Sequence, residues 1–152
     1  MLKTLTGLFL LAVCLLAGCA STPEASPERD AEAKGFQTHP GTAGVYVYRV
    51  PADSRDEESV LFLDGCIVGQ TLPGAYFLID VAPGRHVLHG TGIDQGKLAL
   101  DARPDELYFV ELAVLAGHSQ FRLVSEKIGR ARIAQCCARL ENWAPGQRPL
   151  LR

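Results

Sequence analysis

Three glycine-containing turn motifs, roughly ten residues apart, most constrain what this chain can fold into. Asp64-Gly65 separates two short apolar runs and favours a two-residue β-hairpin turn, because both turn residues need positive φ. Pro73-Gly74 and Pro83-Gly84 fit the two central positions of a type II turn. β-branched and aromatic runs lie between these turns, a pattern typical of a sandwich or barrel rather than of alternating strands and helices.

These runs predict a mainly β fold, an antiparallel β-sandwich of about seven strands, within residues 44–143. If the Asp64-Gly65 turn has two residues, Leu63 faces Cys66 across the hairpin. One C-terminal α-helix is predicted over residues 126–140, with Ser125 as its N-cap, and we expect it to pack on the sheet. Its buried face comprises residues at helical spacing: Gly129, Ile133, Cys136 and Leu140.

The first residues have the layout of a secretory signal peptide: a basic start, an apolar run and then small residues. Lys3 supplies the charge, and the apolar run extends from Leu5 to Ala17. A helix that spans a bilayer needs about 20 apolar residues, so this run is too short to remain as a membrane span. Residues 1–18 are therefore predicted to form a signal helix that is removed.

The apolar run closes on Leu16-Ala17-Gly18-Cys19, which resembles the lipobox of bacterial lipoproteins. The resemblance implies cleavage between Gly18 and Cys19, with a diacylglycerol on the Cys19 thiol and an acyl chain on the new amino group. One acyl chain binds a membrane weakly, at about 0.8 kcal/mol per buried methylene, and two or more hold it firmly. Cys19 would then be the membrane anchor.

Residues 19–43 differ in composition from the rest, being rich in small, polar and proline residues with Phe36 as the one large apolar side chain. Such a segment buries too little apolar surface to offset its ordering entropy. It is predicted to be a flexible tether with a reach of roughly 25–30 Å. Residues 144–152, which contain Pro145 and Pro149, are predicted to be a loose tail.

The five cysteines divide by position. Cys14 leaves with the signal peptide and Cys19 carries the lipid, so Cys66, Cys136 and Cys137 remain in the domain. Export to an oxidising compartment permits a disulfide. Adjacent cysteines close a strained eight-membered ring, so any disulfide is expected to join Cys66 to Cys136, or else to Cys137. The simpler interpretation is that all three are small core residues, as free cysteines commonly are.

Charge and motifs argue against several functions. The net charge is −2 with no basic stripe, which disfavours nucleic acid as a partner. No metal site or cofactor is predicted, because His86 and His89 point to opposite faces of a strand and no C-x-x-C pair is present. The histidines, including His39 and His118, are expected to be solvated. No G-x-S-x-G or H-E-x-x-H motif occurs, so no catalytic residue and no enzymatic activity is predicted.

From residue 44 to 140 the order of motifs is VYVYR, LDG, VG, PG-x-YF and V-x-PG-x-H. This order resembles a family of Gram-negative lipoproteins whose domain has no assigned function, and its last element is similar to PEGA-type surface β-domains. The resemblance implies a lipobox signal followed by a small β-sandwich, and it implies no catalytic residues. Cys66 and the Cys136-Cys137 pair are not features of that family.

These observations predict a lipid-anchored cell-envelope lipoprotein that acts as a non-catalytic interaction or structural module. Its expected partners are the membrane, through the lipid, and an envelope protein or the cell wall. We expect the periplasmic face of the outer membrane rather than the inner membrane, because Ala20 replaces the Asp that resembles the inner-membrane retention signal of enteric bacteria. The alternative is a small-ligand or redox-sensing periplasmic domain that uses Cys66, Cys136 and Cys137.

Overall fold

The computed structural model describes residues 22–51, 59–91 and 96–142. Within these ranges the chain forms nine strands and two helices. The strands β1 to β9 are Ala43–Arg49, Ser59–Leu63, Cys66–Thr71, Ala75–Val81, Gly84–His89, Lys97–Ala102, Leu107–Leu115, His118–Val124 and Ala138–Arg139, and the helices α1 and α2 are Pro27–Ala33 and Glu126–Cys136. The predicted signal helix, the sites at Gly18 and Cys19 and the tail at 144–152 lie outside the described residues.

The strands form two sheets that pack face to face, so the predicted mainly β sandwich with a C-terminal helix is confirmed. One sheet has the order β8-β7-β1-β4-β9 and the other β3-β2-β5-β6. Pairing is not antiparallel throughout, since β1 runs parallel to β7 and β4 runs parallel to β9. Strands β5 and β6 belong to the four-stranded sheet and connect β4 to β7, and β7 then pairs with β1 in the five-stranded sheet.

The predicted hairpin at Asp64-Gly65 is confirmed. Both turn residues have positive φ, 51° and 78°, and Leu63 pairs with Cys66 as expected for a two-residue turn. Gly74 has a φ of 74°, which fits the third position of a type II turn. Gly84 does not occupy the corresponding turn position. It has a φ of 136°, is part of β5 and pairs with Ala102.

Strand β1 is buried along its whole length, and its two faces serve two cores. Val45 and Val47 belong to the core between the sheets, whereas Tyr46 and Tyr48 belong to a second core beneath the helices. This division follows from the two-residue alternation of side chains along a strand. In the second core the rings of Tyr46 and Phe109 stack with their centroids 5.1 Å apart.

The predicted C-terminal helix is shorter than expected. It ends at Cys136 because Cys137 is extended, with φ −122° and ψ 138°, and the N–H of Ala138 then binds the carbonyl of Gly74 at 3.1 Å. Residues 138–139 form β9, and Leu140 is buried in the core between the sheets rather than on a helix face. Ser125 occupies the N-cap position, but its side chain makes no capping hydrogen bond.

The flexible tether predicted for residues 19–43 is wrong from residue 22 onward. This part contains α1, whose Ala33 is only 3% exposed, and its Phe36 ring packs against Tyr46 and Phe109. The prediction of a flexible segment was based only on the small number of large apolar side chains in these residues. In the fold, backbone pairing and hydrogen bonds to buried tyrosines replace the missing apolar surface.

Candidate functional site

A residue close to the predicted lipidation site is already part of the folded domain. Thr22 lies three positions after Cys19 and is only 5% exposed. Its hydroxyl accepts a hydrogen bond of 2.8 Å from the backbone N–H of Gln70 in β3. Gly69 permits this approach, since a Cβ atom there would lie 3.0 Å from the Phe77 ring and 3.2 Å from the Thr22 hydroxyl. Thr22 is therefore fixed against strand β3.

Residues 23–25 extend the five-stranded sheet beyond β9. The N–H of Ala25 binds the carbonyl of Arg139 at 2.8 Å, and the N–H of Glu141 binds the carbonyl of Pro23 at 2.9 Å. Glu24 and Leu140 form the antiparallel bridge between these hydrogen bonds. The N-terminal segment is thus paired with the segment that follows α2.

Helix α1 begins where local sequence favours a helix start. The Ser26 side chain accepts the N–H of Arg29 at 3.4 Å, Pro27 occupies the first turn, and Glu28 places a negative charge near the helix N-terminus. At the other end of α1, the carbonyl of Ala33 accepts a hydrogen bond of 2.7 Å from the Tyr46 hydroxyl. The helix is therefore tied to β1 through its last residue.

One carboxylate, that of Asp30, joins α1 to two strands. It accepts hydrogen bonds from the Tyr76 hydroxyl at 2.9 Å, the Arg139 N–H at 3.0 Å and the Lys34 ammonium at 2.7 Å. Burial by itself would raise the pKa of Asp30, but the Lys34 and Tyr76 hydrogen bonds and the Lys34 charge hold it below its usual value. Burial and the bond to Asp30 also raise the pKa of Tyr76, which keeps its hydroxyl a donor.

The cysteines are paired differently from the prediction. Among the described cysteines, Cys136 and Cys137 form a disulfide with each other, and Cys66 is an exposed free thiol. The expected Cys66–Cys136 disulfide is wrong because the two residues lie near opposite ends of β3. Cys66 opens that strand, whereas Cys136 lies beside Gly74, in the turn after it. Six extended residues span about 20 Å, and disulfide Cα atoms lie about 4.4–6.8 Å apart.

A cavity of about 350 Å³ lies beside Cys136. Its wall includes Glu111, Arg122 and Arg132, and Glu111 accepts a hydrogen bond of 3.0 Å from the Tyr48 hydroxyl. The pKa of Tyr48 is raised mainly by burial and also by the hydrogen bond to Glu111. Cys136 is partly exposed here, whereas Cys137 is buried. The Arg122 guanidinium is paired with the Glu111 carboxylate at 2.5 Å, and Arg132 lies in the same wall of the cavity as Cys136.

The prediction that His86 is solvated is wrong, because its side chain is only 16% exposed. Its Nδ1 lies 2.6 Å from the carboxylate of Asp64, and its Nε2 lies 2.7 Å from the carbonyl oxygen of Ala82. Both partners are acceptors, so only the imidazolium satisfies both contacts. Burial lowers the pKa of His86, but these two hydrogen bonds outweigh it and raise the pKa above its usual value.

The other histidines lie apart from His86. His89 stacks on Phe62 with ring centroids 4.8 Å apart. His39 is exposed, and its Nδ1 lies 3.0 Å from a carboxylate oxygen of Asp80 at the mouth of a polar cavity of about 250 Å³. The Arg139 guanidinium, which also lines this cavity, donates a hydrogen bond of 3.0 Å to the carbonyl of Arg29 in α1. This last hydrogen bond joins α1 to β9.

Thr22, Asp30 and Tyr76 fix the N-terminal segment, and none of them was predicted from the sequence. The pattern Ser26-Pro27-Glu28 is a recognised helix start and is a signal from which α1 could be predicted. The contact between Thr22 and Gln70 has no comparable signal, because 48 positions separate the two residues.

In the ranges that the structure describes, no helix is both long and apolar enough to cross a membrane. Comparison with known proteins identifies a relative in Haemophilus influenzae, described only as an uncharacterized protein. The two sequences are 26% identical over 127 residues, which cover 80% of this chain and 76% of the relative. No family model matches the chain, and no solved structure matches it.

Proposed function

We propose that the protein is a lipid-anchored lipoprotein of the bacterial cell envelope. The observation that carries this proposal is the sequence Leu16-Ala17-Gly18-Cys19 at the end of a short apolar run with a basic start. Thr22, which packs against β3, lies after the predicted cleavage site, so its contact with the domain would remain in the mature chain. Two or more acyl chains on one cysteine would hold the domain at the membrane.

Labelling with radioactive palmitate tests the anchor. The wild-type protein is expected to incorporate label and to sediment with membranes. Cys19→Ala removes the acceptor thiol and should abolish both the label and the cleavage after Gly18. Cys14→Ala is the matched control, since this thiol would leave with the signal peptide and its loss should change neither result. Unchanged labelling of the Cys19→Ala variant would show that the acyl chains are elsewhere.

We place the protein on the periplasmic face of the outer membrane. The residue after the anchor is Ala20, whereas Asp at this position resembles the inner-membrane retention signal of enteric bacteria. Separation of the two membranes on a density gradient is expected to recover the wild-type protein with the outer membrane, and Ala20→Asp is expected to shift it to the inner membrane. Recovery of both proteins in the inner membrane would exclude this assignment.

We assign the domain a non-catalytic role, as an interaction or structural module that contacts an envelope protein or the cell wall. The resemblance of residues 44–140 to lipoprotein β-domains supports this role. Crosslinking in intact cells, followed by purification of the protein or of the cell-wall sacculus, is the appropriate test. The same crosslinked species should recur with the wild-type protein and decrease with the Cys19→Ala variant. No reproducible crosslinked species would contradict this role.

A second candidate function is redox sensing, and the Cys136–Cys137 disulfide favours it. Reduction by an external dithiol would transfer two electrons and two protons, giving two thiols here and a disulfide in the reductant. Counting thiols separates the candidates: a responsive pair gains two thiols under mild reduction while the domain stays folded. A Cys136→Ser variant provides the fully reduced reference for Cys137. A pair that is reduced only after unfolding would exclude redox sensing.

A further inference from the structure

The link between the proposed anchor and the folded domain is very short. Three residue steps join Cys19 to Thr22, and three extended residues span at most about 10–11 Å. The polar headgroup layer on one side of a bilayer is about 5–8 Å thick. Since a domain of about 120 residues has a radius of gyration near 14 Å, an anchored domain of this size cannot leave the membrane surface by more than a small fraction of its own diameter.

The direction of the chain at Thr22 indicates which part of the domain lies nearest to the anchor. Residues 23–25 run antiparallel to 139–141, and β9 runs parallel to β4. Traced backward from Ala25 to Thr22, the chain therefore runs toward the end of β4, at Val81. Strand β3 ends at the turn that leads into the start of β4. The first residues of β3 therefore lie at the opposite end of the sandwich from this turn, which is the end where β4 finishes at Val81.

The first residues of β3 present an apolar edge at this end. Ile67 is 50% exposed, and Cys66 beside it is also exposed. Within the described residues β3 is the outermost strand of its sheet, and the Thr22 hydroxyl binds the N–H of Gln70 farther along the strand. Uncovered strand edges tend to pair with other chains, and a surface that covers them removes this tendency.

We propose that the start of β3, with Cys66 and Ile67, is the membrane-facing corner of the domain and rests on the lipid headgroups. This inference rests on the proposed lipidation of Cys19. The bilayer is the occupant because the anchor and its short link bring a lipid surface to this corner. The far end of the sandwich, where β8 begins at His118, points away from the membrane.

Cys66 provides the probe, because Cys19 carries lipid and the other two described cysteines are joined to each other. A nitroxide label on Cys66 is measured in the purified, lipidated full chain in phosphatidylethanolamine–phosphatidylglycerol vesicles. Its collision rate with a water-soluble nickel chelate is expected to be several-fold lower than that of a label at His118→Cys in a Cys66→Ser background. His118 is exposed in the unlabelled domain and is the matched control.

A second variant tests the cause of the shielding. About 12 Gly and Ser residues inserted between Ser21 and Thr22 have a typical reach of about 17–21 Å, which should raise the Cys66 collision rate to the level at His118→Cys. Equal rates at the two sites without the insertion would overturn the proposal. Shielding of Cys66 that persists with the insertion would overturn it too, since the short link would not be its cause.

These results are separable from a failure of the anchor. A protein that takes up no palmitate and does not float with vesicles contradicts the lipoprotein proposal itself. A protein that is labelled and floats, yet leaves Cys66 as accessible as His118→Cys, contradicts only the orientation. Shielding that appears in cell envelopes but not in pure lipid vesicles would assign this corner to a protein partner and would also overturn the proposal.

Discussion

The backbone N–H of Gln70 donates a hydrogen bond of 2.8 Å to the hydroxyl of Thr22, 48 positions earlier in the chain. This contact makes Thr22, three positions after Cys19, part of the domain. It joins the N-terminal segment to β3, while the pairing of residues 23–25 joins the same segment to the end of the chain beyond α2. The N-terminal residues that resemble a linker in composition are thus part of the domain.

Thr22→Val is expected to destabilise the domain by about 1 kcal/mol, because the partly buried N–H of Gln70 would lose its acceptor. The two side chains have nearly the same shape, so the change isolates the hydroxyl. Urea unfolding followed by tryptophan fluorescence measures the free energy of unfolding. Thr38→Val, at a partly exposed threonine, is the control and should change it by less than about 0.5 kcal/mol. Equal effects of the two substitutions would contradict this role of Thr22.

Asp30→Ala is expected to cost about 1.5–3 kcal/mol, since a charged acceptor of several hydrogen bonds is removed. The pKa of Asp30 is lower in the folded state, so its contribution is complete above the unfolded pKa of about 3.9 and is lost as pH falls through the folded pKa. The difference in unfolding free energy between wild type and variant should therefore shrink in acid. Glu32→Ala, on the exposed side of α1, is the control and should change the free energy of unfolding by less than about 0.5 kcal/mol.

Gly129→Ala is expected to destabilise the protein, although alanine normally favours a helix over glycine by about 1 kcal/mol. The added methyl group would overlap the Phe109 side chain where α2 crosses β7. Overpacking of this kind typically costs about 1–3 kcal/mol. Thermal unfolding of this variant beside Ala134→Leu, which adds volume on the exposed face of α2, measures the effect. A stabilised Gly129→Ala protein would show that α2 is not pressed against Phe109.

His86 is expected to titrate above its usual pKa, because it lies between two acceptors. The pKa of Asp64 is lowered: burial opposes this shift, but the hydrogen bond from His86 outweighs it. The pair therefore stabilises the fold between these two pKa values, and its contribution is lost as pH rises through the raised pKa of His86 or falls through the lowered pKa of Asp64.

Nuclear magnetic resonance titration of the His86 ring tests this expectation. Asp64→Asn removes the carboxylate charge and should move the pKa of His86 down toward about 6.5, the unperturbed value. Asp101→Asn, which removes an exposed carboxylate on β6, is the control and should leave the pKa of His86 unchanged. A pKa of His86 that does not respond to Asp64→Asn would indicate that the ion pair is absent in solution.

Features set by a few neighbouring residues could be predicted, and those set by distant contacts could not. The register of the Asp64-Gly65 hairpin follows from the need for positive φ at both turn residues. The disulfide was predicted wrongly, because composition does not show that Cys66 and Cys136 lie near opposite ends of β3. His86 was placed in solvent for the same reason, since the acceptor that encloses it, Asp64, lies 22 positions away.

The sequence by itself determined the mainly β sandwich, the hairpin and the presence of a C-terminal helix, because alternation, glycine turns and helical spacing act over a few residues. Only the tertiary structure decided that residues 22–43 are part of the domain and that Cys136 pairs with its neighbour. The physical reason is that the order of the N-terminal segment comes from hydrogen bonds to residues as distant as Arg139, 109 positions from Asp30. Such bonds stabilise a segment whose own composition favours disorder.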